Sequence, residues 1–273
     1  LRDLLQLVLG EMDLEDLTNI VFSETGATKL IAEIGNNHLG EVRRAREMLV
    51  EALAAGVDAV TFQVREESFY KLPEMTHLDL PLDFFAEAVA TTHAAGRQFG
   101  IAICDPARIA PLDRLGVDFW KTLSWDFSNE ELRAELQTTG KPVYYSTGVS
   151  GTDEIVAISE RLGNAVLIHT QFSHSLGDVN LKAIQALGSA TSLPVAFGLH
   201  AHNHEVLKMA LCFEPHSLFF YVKQRGIFAY DDEHALELDE LQRSVSGLRE
   251  LMSAIGTGIK IDKETPAWVR ASK

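Results

Sequence analysis

The sequence predicts a (β/α)8 (TIM) barrel with an extra helix at its N-terminus. Three observations predict it. Short apolar runs alternate with helix-period segments in strict order along the chain, and repeated strand–helix units build a parallel sheet. The length, 273 residues, matches the roughly 250 that eight such units need to close on themselves. The rival architecture is an open doubly wound sheet, which usually carries a glycine-rich dinucleotide turn after its first strand. Here that turn reads Gly35-Asn36-Asn37-His38-Leu39-Gly40, which lacks that spacing.

Residues 1–28 are expected to form an N-terminal helical extension, with Leu4, Leu5, Leu7, Val8, Leu9 and Met12 on an apolar face. The barrel then spans 29–258. Its strands are expected at 29–34, 58–63, 99–104, 118–123, 142–146, 165–169, 194–198 and 217–222. The intervening helices are expected at 42–55, 82–95, 108–115, 129–138, from Thr152, 179–187, 204–213 and 238–255. Gly56, Gly96, Gly116 and Gly140 close four of them. Asn129 or Ser128 caps the fourth helix. Residues 259–273 are read as an irregular tail.

Composition sets limits on function. At 46% hydrophobic and 23% charged, the chain is globular. The two cysteines, Cys104 and Cys212, lie in apolar stretches and are read as buried free thiols in a reducing cytoplasm. No apolar run approaches the roughly 18–20 residues of a membrane span. The net charge of −15 opposes nucleic acid and anionic membranes. An anionic substrate would therefore need a local cationic pocket.

In such a barrel, catalytic groups sit at strand C-termini and in the loops that follow. That filter selects Glu33, Asn37 and His38 after the first strand, Gln63 after the second, and Lys121 and Ser124 after the fourth. The fifth gives Ser146 and Thr147, the seventh His200 and His202, and the eighth Tyr221. Polar groups at apolar strand ends are costly to bury without partners, so their concentration at one end favours a site. Ser146 and Thr147 before Gly148 also fit ordinary turn chemistry. His200-Ala201-His202 on an extended segment puts both rings on one side, as a metal requires; a polar loop is the alternative. His169 stands behind these two. His174, His216 and His234 are read as exposed or structural, and Asp231-Asp232-Glu233 as a solvated acidic loop.

Several motifs, in order, resemble the sialic acid synthase (N-acetylneuraminate synthase) family. They are Leu30–Gly40 (LIAEIGNNHLG), Ala55–Gln63 (AGVDAVTFQ), Gly116–Lys121 (GVDFWK), Thr139–Ser150 (TGKPVYYSTGVS), Asp178–Leu181 and Asp239–Leu241. The resemblance runs from about residue 29 to 255. It implies a barrel transferase that condenses phosphoenolpyruvate with an amino-sugar aldehyde, giving a nonulosonic (sialic-acid-like) acid. It implies a divalent metal, Mn²⁺ or Mg²⁺, small-molecule partners only, and leaves a homodimer open. By the same resemblance, Lys121, Ser124 and Ser146 hold the phosphate and carboxylate; Thr147, Asn37 and Gln63 are assigned to the same substrate-binding set from their places at the strand ends. The resemblance also has Glu33 handle a proton, His38 face the sugar and His200 be the first metal histidine; the His-x-His spacing places His202 behind it as a ligand.

The chain departs from the family pattern at four places. A family lysine is Thr61, a Ser-Asp-His triplet reads Gly198-Leu199-His200, the second metal histidine is Tyr221, and an Asn-Tyr-Pro segment reads Phe172-Ser173-His174-Ser175. Tyr221 is taken as catalytic in its new form. The chain is expected to be a divergent member without the family's antifreeze-like C-terminal domain. A different barrel lyase or isomerase with an altered metal site, or a non-catalytic barrel module, stays open, because fold alone does not fix chemistry.

Overall fold

The structure, a computed structural model, describes residues 28–256. Eight parallel strands run in sequence order: β1 (Lys29–Gly35), β2 (Ala59–Val64), β3 (Gln98–Ile103), β4 (Phe119–Thr122), β5 (Val143–Ser146), β6 (Ala165–His169), β7 (Val195–Gly198) and β8 (Ser217–Lys223). Pairing of β1 with β8, from Lys29↔Ser217 to Glu33↔Tyr221, closes the ring. The fold is the expected (β/α)8 barrel.

Alternation along each strand sorts side chains into two layers. Leu30, Ala32 and Ile34 of β1 face outward and pack with helix residues such as Ala45, Met48 and Leu49. Those three, with Ala52, are the buried face of α1 (Val42–Ala54); their i, i+3, i+4, i+7 spacing is one stripe of a helix. Ile31, Phe119, Tyr144, Val166 and Phe219 point inward and form a separate cluster that plugs the barrel floor. The rings of Phe119 and Phe219 each meet Tyr144 edge-on at 5.2 Å. Space for this plug depends on Gly100 of β3, where an added Cβ would overlap the Phe119 ring.

The remaining helices follow the strands: α2 (Glu67–Tyr70), α3 (Leu82–Ala94), α4 (Pro106–Asp113), α5 (Glu130–Thr138), α6 (Thr152–Ser159), α7 (Ala183–Thr191), α8 (Glu205–Ala210) and α9 (Leu238–Ile255). Asn129 caps α5, its Oδ1 accepting the Leu132 N–H at 3.1 Å. Four sequence expectations need correction. The helix expected from Val179 begins at Ala183, because Asn180 takes a left-handed conformation (φ 45°) that breaks the turn before it. Helix α2 was not expected; Phe69 and Tyr70 anchor it to Leu78 in a satellite cluster. A two-residue strand β9 (Leu236–Glu237) pairs with Val222 and Lys223 of β8. Cys104 is buried but Cys212 is exposed, since it sits on the outer side of the turn that ends α8. The expected N-terminal helix and C-terminal tail lie outside the described residues. No helix among the described residues is long and apolar enough to cross a membrane.

Gly100→Ala forces a methyl group into the Phe119 ring, which Tyr144 already confines. Overpacking of this kind costs about 1–3 kcal/mol. Urea denaturation is expected to show that loss, and a Gly100→Ala/Phe119→Leu pair is expected to recover part of it.

Candidate active site

The C-terminal ends of the strands surround a cavity of about 210 Å³. Side chains from β1, β2, β4, β5, β6 and β8 form its wall, and the loops after β2, β4, β6, β7 and β8 form its rim. At its base stands an ion pair. Lys121 Nζ donates to both oxygens of Glu33, at 2.8 and 2.7 Å. Glu33 is 1% exposed and Lys121 5%, so each charge depends on the other for its stability. Lys121 also lies 5.8 Å from the Phe219 ring and 5.9 Å from the Tyr221 ring, within cation–π range.

Strand register places the rest. Glu33 lies beside Tyr221 on β8 and Thr61 on β2. A bulge follows Glu33 as β1 ends, with Gly35 at φ 56°. A side chain at Gly35 would crowd both Tyr221 and Asp231 Oδ2, each 3.3 Å from its Cβ position. Burial first, then the negative charges of Glu33 and Asp231, push the Tyr221 phenol well above its ordinary range. Burial, with Glu33 adding repulsion, raises Asp231 to about 7. Its Oδ2 is buried without a hydrogen-bond partner.

Of the expected site residues, the cavity wall brings together Glu33, Gln63, Lys121, Ser124, Ser146, His200 and Tyr221. Ser124 Oγ also accepts the Gly148 N–H at 3.1 Å, tying the loops after β4 and β5. Four expected residues lie elsewhere. Asn37 donates to the Val222 carbonyl (2.9 Å) and accepts the Asp231 N–H (2.8 Å); it is a strut that pins the loop after β8. His38 is buried with its ring 6.0 Å from Phe62, and its Nδ1 accepts the Gly40 N–H at 2.9 Å. Burial lowers its pKa to about 4. Thr147 donates to the Ile168 carbonyl at 2.9 Å and borders a different cavity, beside α7. His202 is exposed outside the wall.

His200 and His202 do not share one side of an extended segment. Strand β7 stops at Gly198 and the chain bends at Ala201 and His202. His200 therefore turns inward, its ring 4.8 Å from His234 and 5.6 Å from Tyr221. Burial, then repulsion from His234, lowers its pKa to about 3. The His202 ring instead lies 4.7 Å from that of His174.

Three readings of loop residues also change. His174 and His234, expected to be exposed or structural, line the cavity, and so does Asp231, expected in a solvated acidic loop. Arg65, Trp125 and Phe172 join them. The Arg65 guanidinium pairs with Glu66 at 2.9 Å and covers Trp125 at 5.3 Å. Trp125 and Phe172 stack at 5.9 Å on the rim. Arg65 follows Gln63 by two residues, and Asp231 lies in the loop after β8, so the strand-end rule extended to whole loops would have found both.

A divalent metal can be tested against the donors present. His174, His202 and Glu233 offer ligand atoms that all lie within 4.8 Å of one another. Two imidazoles and a carboxylate fit a first-row transition ion, and fit Mg²⁺ poorly, which prefers all-oxygen surroundings.

A barrel with charged and polar groups converging at its strand C-termini has the architecture of a barrel enzyme. Comparison with known proteins narrows the class. The NeuB family model matches residues 65–260, and the chain belongs to that family. It is 29% identical over 253 residues to an uncharacterized protein of Methanocaldococcus jannaschii, covering 86% of this chain and 74% of that one. It is 25% identical over 269 residues to the N,N'-diacetyllegionaminic acid synthase of Campylobacter jejuni, covering 85% and 79%. The human N-acetylneuraminate-9-phosphate synthase is 24% identical over 258 residues, covering 85% and 72%. Among solved structures, the N-acetylneuraminic acid synthetase of Leptospira borgpetersenii superposes with a TM-score of 0.80 at 24% identity, over 91% of this chain and 90% of that one. That likeness shows the fold. The Campylobacter and human relatives are named as synthases.

Two predictions follow from the buried groups. Lys121→Met leaves Glu33 buried and unpaired, which costs about 3–5 kcal/mol; the Glu33→Leu/Lys121→Met pair is expected to regain most of that in urea melts. His38 has a folded pKa of about 4, below the ordinary 6.5, so its contribution is full above pH 6.5 and is lost as pH falls through 4. Relative to His38→Gln, the native protein is expected to lose up to about 3 kcal/mol across that window. A flat difference between the two denaturation series would contradict the assignment.

Proposed function

We propose that this protein condenses phosphoenolpyruvate with an N-acetylated amino-sugar aldehyde to give a nonulosonic acid. The observation that carries the reading is the convergence of Glu33, Lys121, Ser124 and Ser146 on one cavity wall. A small anion requires a cation with hydroxyl donors beside it, and Lys121 with the two serines supplies that set. NeuB membership and the names of the relatives support the same chemistry.

In this reading, the carboxylate and phosphate of phosphoenolpyruvate take up Lys121, Ser124, Ser146 and Gln63. The incoming anion competes with Glu33 for the Lys121 ammonium. Glu33, so released, manages the proton of the water that adds at C2. The substrate's C3 forms the new bond to the aldehyde carbon, water adds at C2, and phosphate leaves. A bound metal would polarise the aldehyde oxygen. Tyr221, beside Glu33 and kept protonated by its burial, is placed to donate a hydrogen bond to the forming alkoxide. The stacked Trp125 and Phe172 offer apolar faces to the sugar at the rim. The protein so read acts in the cytoplasm on small molecules.

A second reading is a barrel lyase or isomerase with a different substrate. The observation favouring it is Thr61: it is fully buried beside Glu33 with its hydroxyl unpartnered, where the family pattern has a lysine. That pocket carries less positive charge for a triply anionic compound.

Phosphate release from phosphoenolpyruvate, assayed with a panel of N-acetylated amino-sugar aldehydes, separates the readings. Aldehyde-dependent release is expected, with Glu33→Gln lowering kcat by about 10²–10⁴-fold, the range for loss of an acid–base group. No release with any aldehyde, or an unchanged rate in Glu33→Gln, overturns the proposal.

A further inference from the structure

We propose that His174, His202 and Glu233 form a transition-metal site on the rim of the cavity, built from three loops and distinct from the His200 position. The residues follow β6, β7 and β8 respectively, so the site would tie together three loops that the sequence leaves far apart. Their ligand atoms all lie within 4.8 Å of one another. His174 Nδ1 stands 3.3 Å from Glu233 Oε2, yet it is buried with no hydrogen bond. The His174 and His202 rings lie 4.7 Å apart, tilted by 46° to each other, with no hydrogen bond between them.

A second observation points to the same spot. His234 is only 8% exposed, and both of its ring nitrogens are buried without a partner. Its ring lies 5.4 Å from His174 and 4.8 Å from His200. Buried donors and acceptors left without partners are costly, so histidines with unused nitrogens in one place point to a bound species. An ion accepts imidazole lone pairs directly. Two histidines and one glutamate are a donor set that holds a transition ion while leaving coordination positions open. His174 and His234 are themselves part of the cavity wall, so the ion would border the space where a substrate sits.

This placement differs from what the family resemblance implies. That resemblance puts the first metal histidine at His200 and the second at Tyr221. Here His200 is directed at His234 and Tyr221, and Tyr221 brings a phenol where the resemblance has an imidazole. The three rim donors take over the role, His174 from the segment where the family pattern has Asn-Tyr-Pro and His202 and Glu233 from the loops after β7 and β8. The assignment rests on the condensation reading only for what the metal does; binding itself is measured without substrate.

The test uses the full chain stripped with a chelator. Co²⁺, Zn²⁺, Mn²⁺ and Mg²⁺ are titrated separately by calorimetry, and the visible absorption of Co²⁺ reports its ligands. One ion per chain is expected, with Zn²⁺ and Co²⁺ far tighter than Mg²⁺. His174→Ala and His202→Ala are each expected to weaken binding by more than about 100-fold, beyond the roughly 10–100-fold effect of losing an outer-sphere partner, and to change the Co²⁺ spectrum. His200→Phe is expected to bind as the native chain does. His202 is exposed, so its alanine variant keeps the fold, which circular dichroism checks. Absence of one-to-one binding in the native chain, or loss of binding in His200→Phe with none in His202→Ala, overturns the site. Either outcome leaves phosphate release as a separate measurement, so the two proposals fail independently.

Discussion

The ion pair between Glu33 and Lys121 is the constraint on which the cavity depends. It crosses the barrel from β1 to β4 at the level where the apolar plug ends. Below it, Phe119, Tyr144 and Phe219 fill the interior with carbon. Above it, hydroxyl, imidazole and carboxyl groups face an open space. Two charges taken out of water at that boundary are costly, and replacement by apolar residues would often be neutral or stabilising. A buried pair retained at the mouth of a barrel is therefore better explained by chemistry than by stability. The lysine can exchange its partner for an anion that enters from solvent, and the glutamate can then accept a proton.

The loop after β8 is the second element that shapes the site. Asn37 holds it by bonding both the Val222 carbonyl and the Asp231 N–H. Lys223 holds it further along through Asp232 at 2.9 Å. These contacts place Asp231 and His234 against Tyr221 and His200. A carboxyl group raised to about 7 beside a glutamate is the pattern of environments that pushes neighbouring acids apart in strength. The negative charge of the whole chain is thus offset locally, by Lys121 and Arg65 in the wall and by a carboxyl group that is only partly ionised at neutral pH.

Much of this was legible in the sequence, for definite reasons. The strands were visible because apolar runs of four to seven residues stood between helix-period segments. Glu33, Lys121, Ser146 and Tyr221 were visible because each interrupts an apolar strand on its inward side near the C-terminal end. The course of the loops was not visible. Asn37 is a substrate-ligand candidate by its place after the first strand, but its actual partners are 185 and 194 residues away, beyond any local pattern. His200 and His202 were read as a pair because the bend at Ala201 leaves no mark in the sequence. Asp231 and Glu233 looked like a solvated acidic run, although one lies against the cavity and the other meets a histidine from another loop.

The central claim is that the Lys121 ammonium passes from Glu33 to the substrate anion. The most direct measurement is the Kd of phosphoenolpyruvate, by calorimetry, for the native chain, Glu33→Gln and Lys121→Met. If the claim holds, Glu33→Gln binds phosphoenolpyruvate more tightly than the native chain, because the internal competitor has lost its charge, and Lys121→Met does not bind it. Weaker binding in Glu33→Gln, or binding in Lys121→Met equal to that of the native chain, would contradict the account.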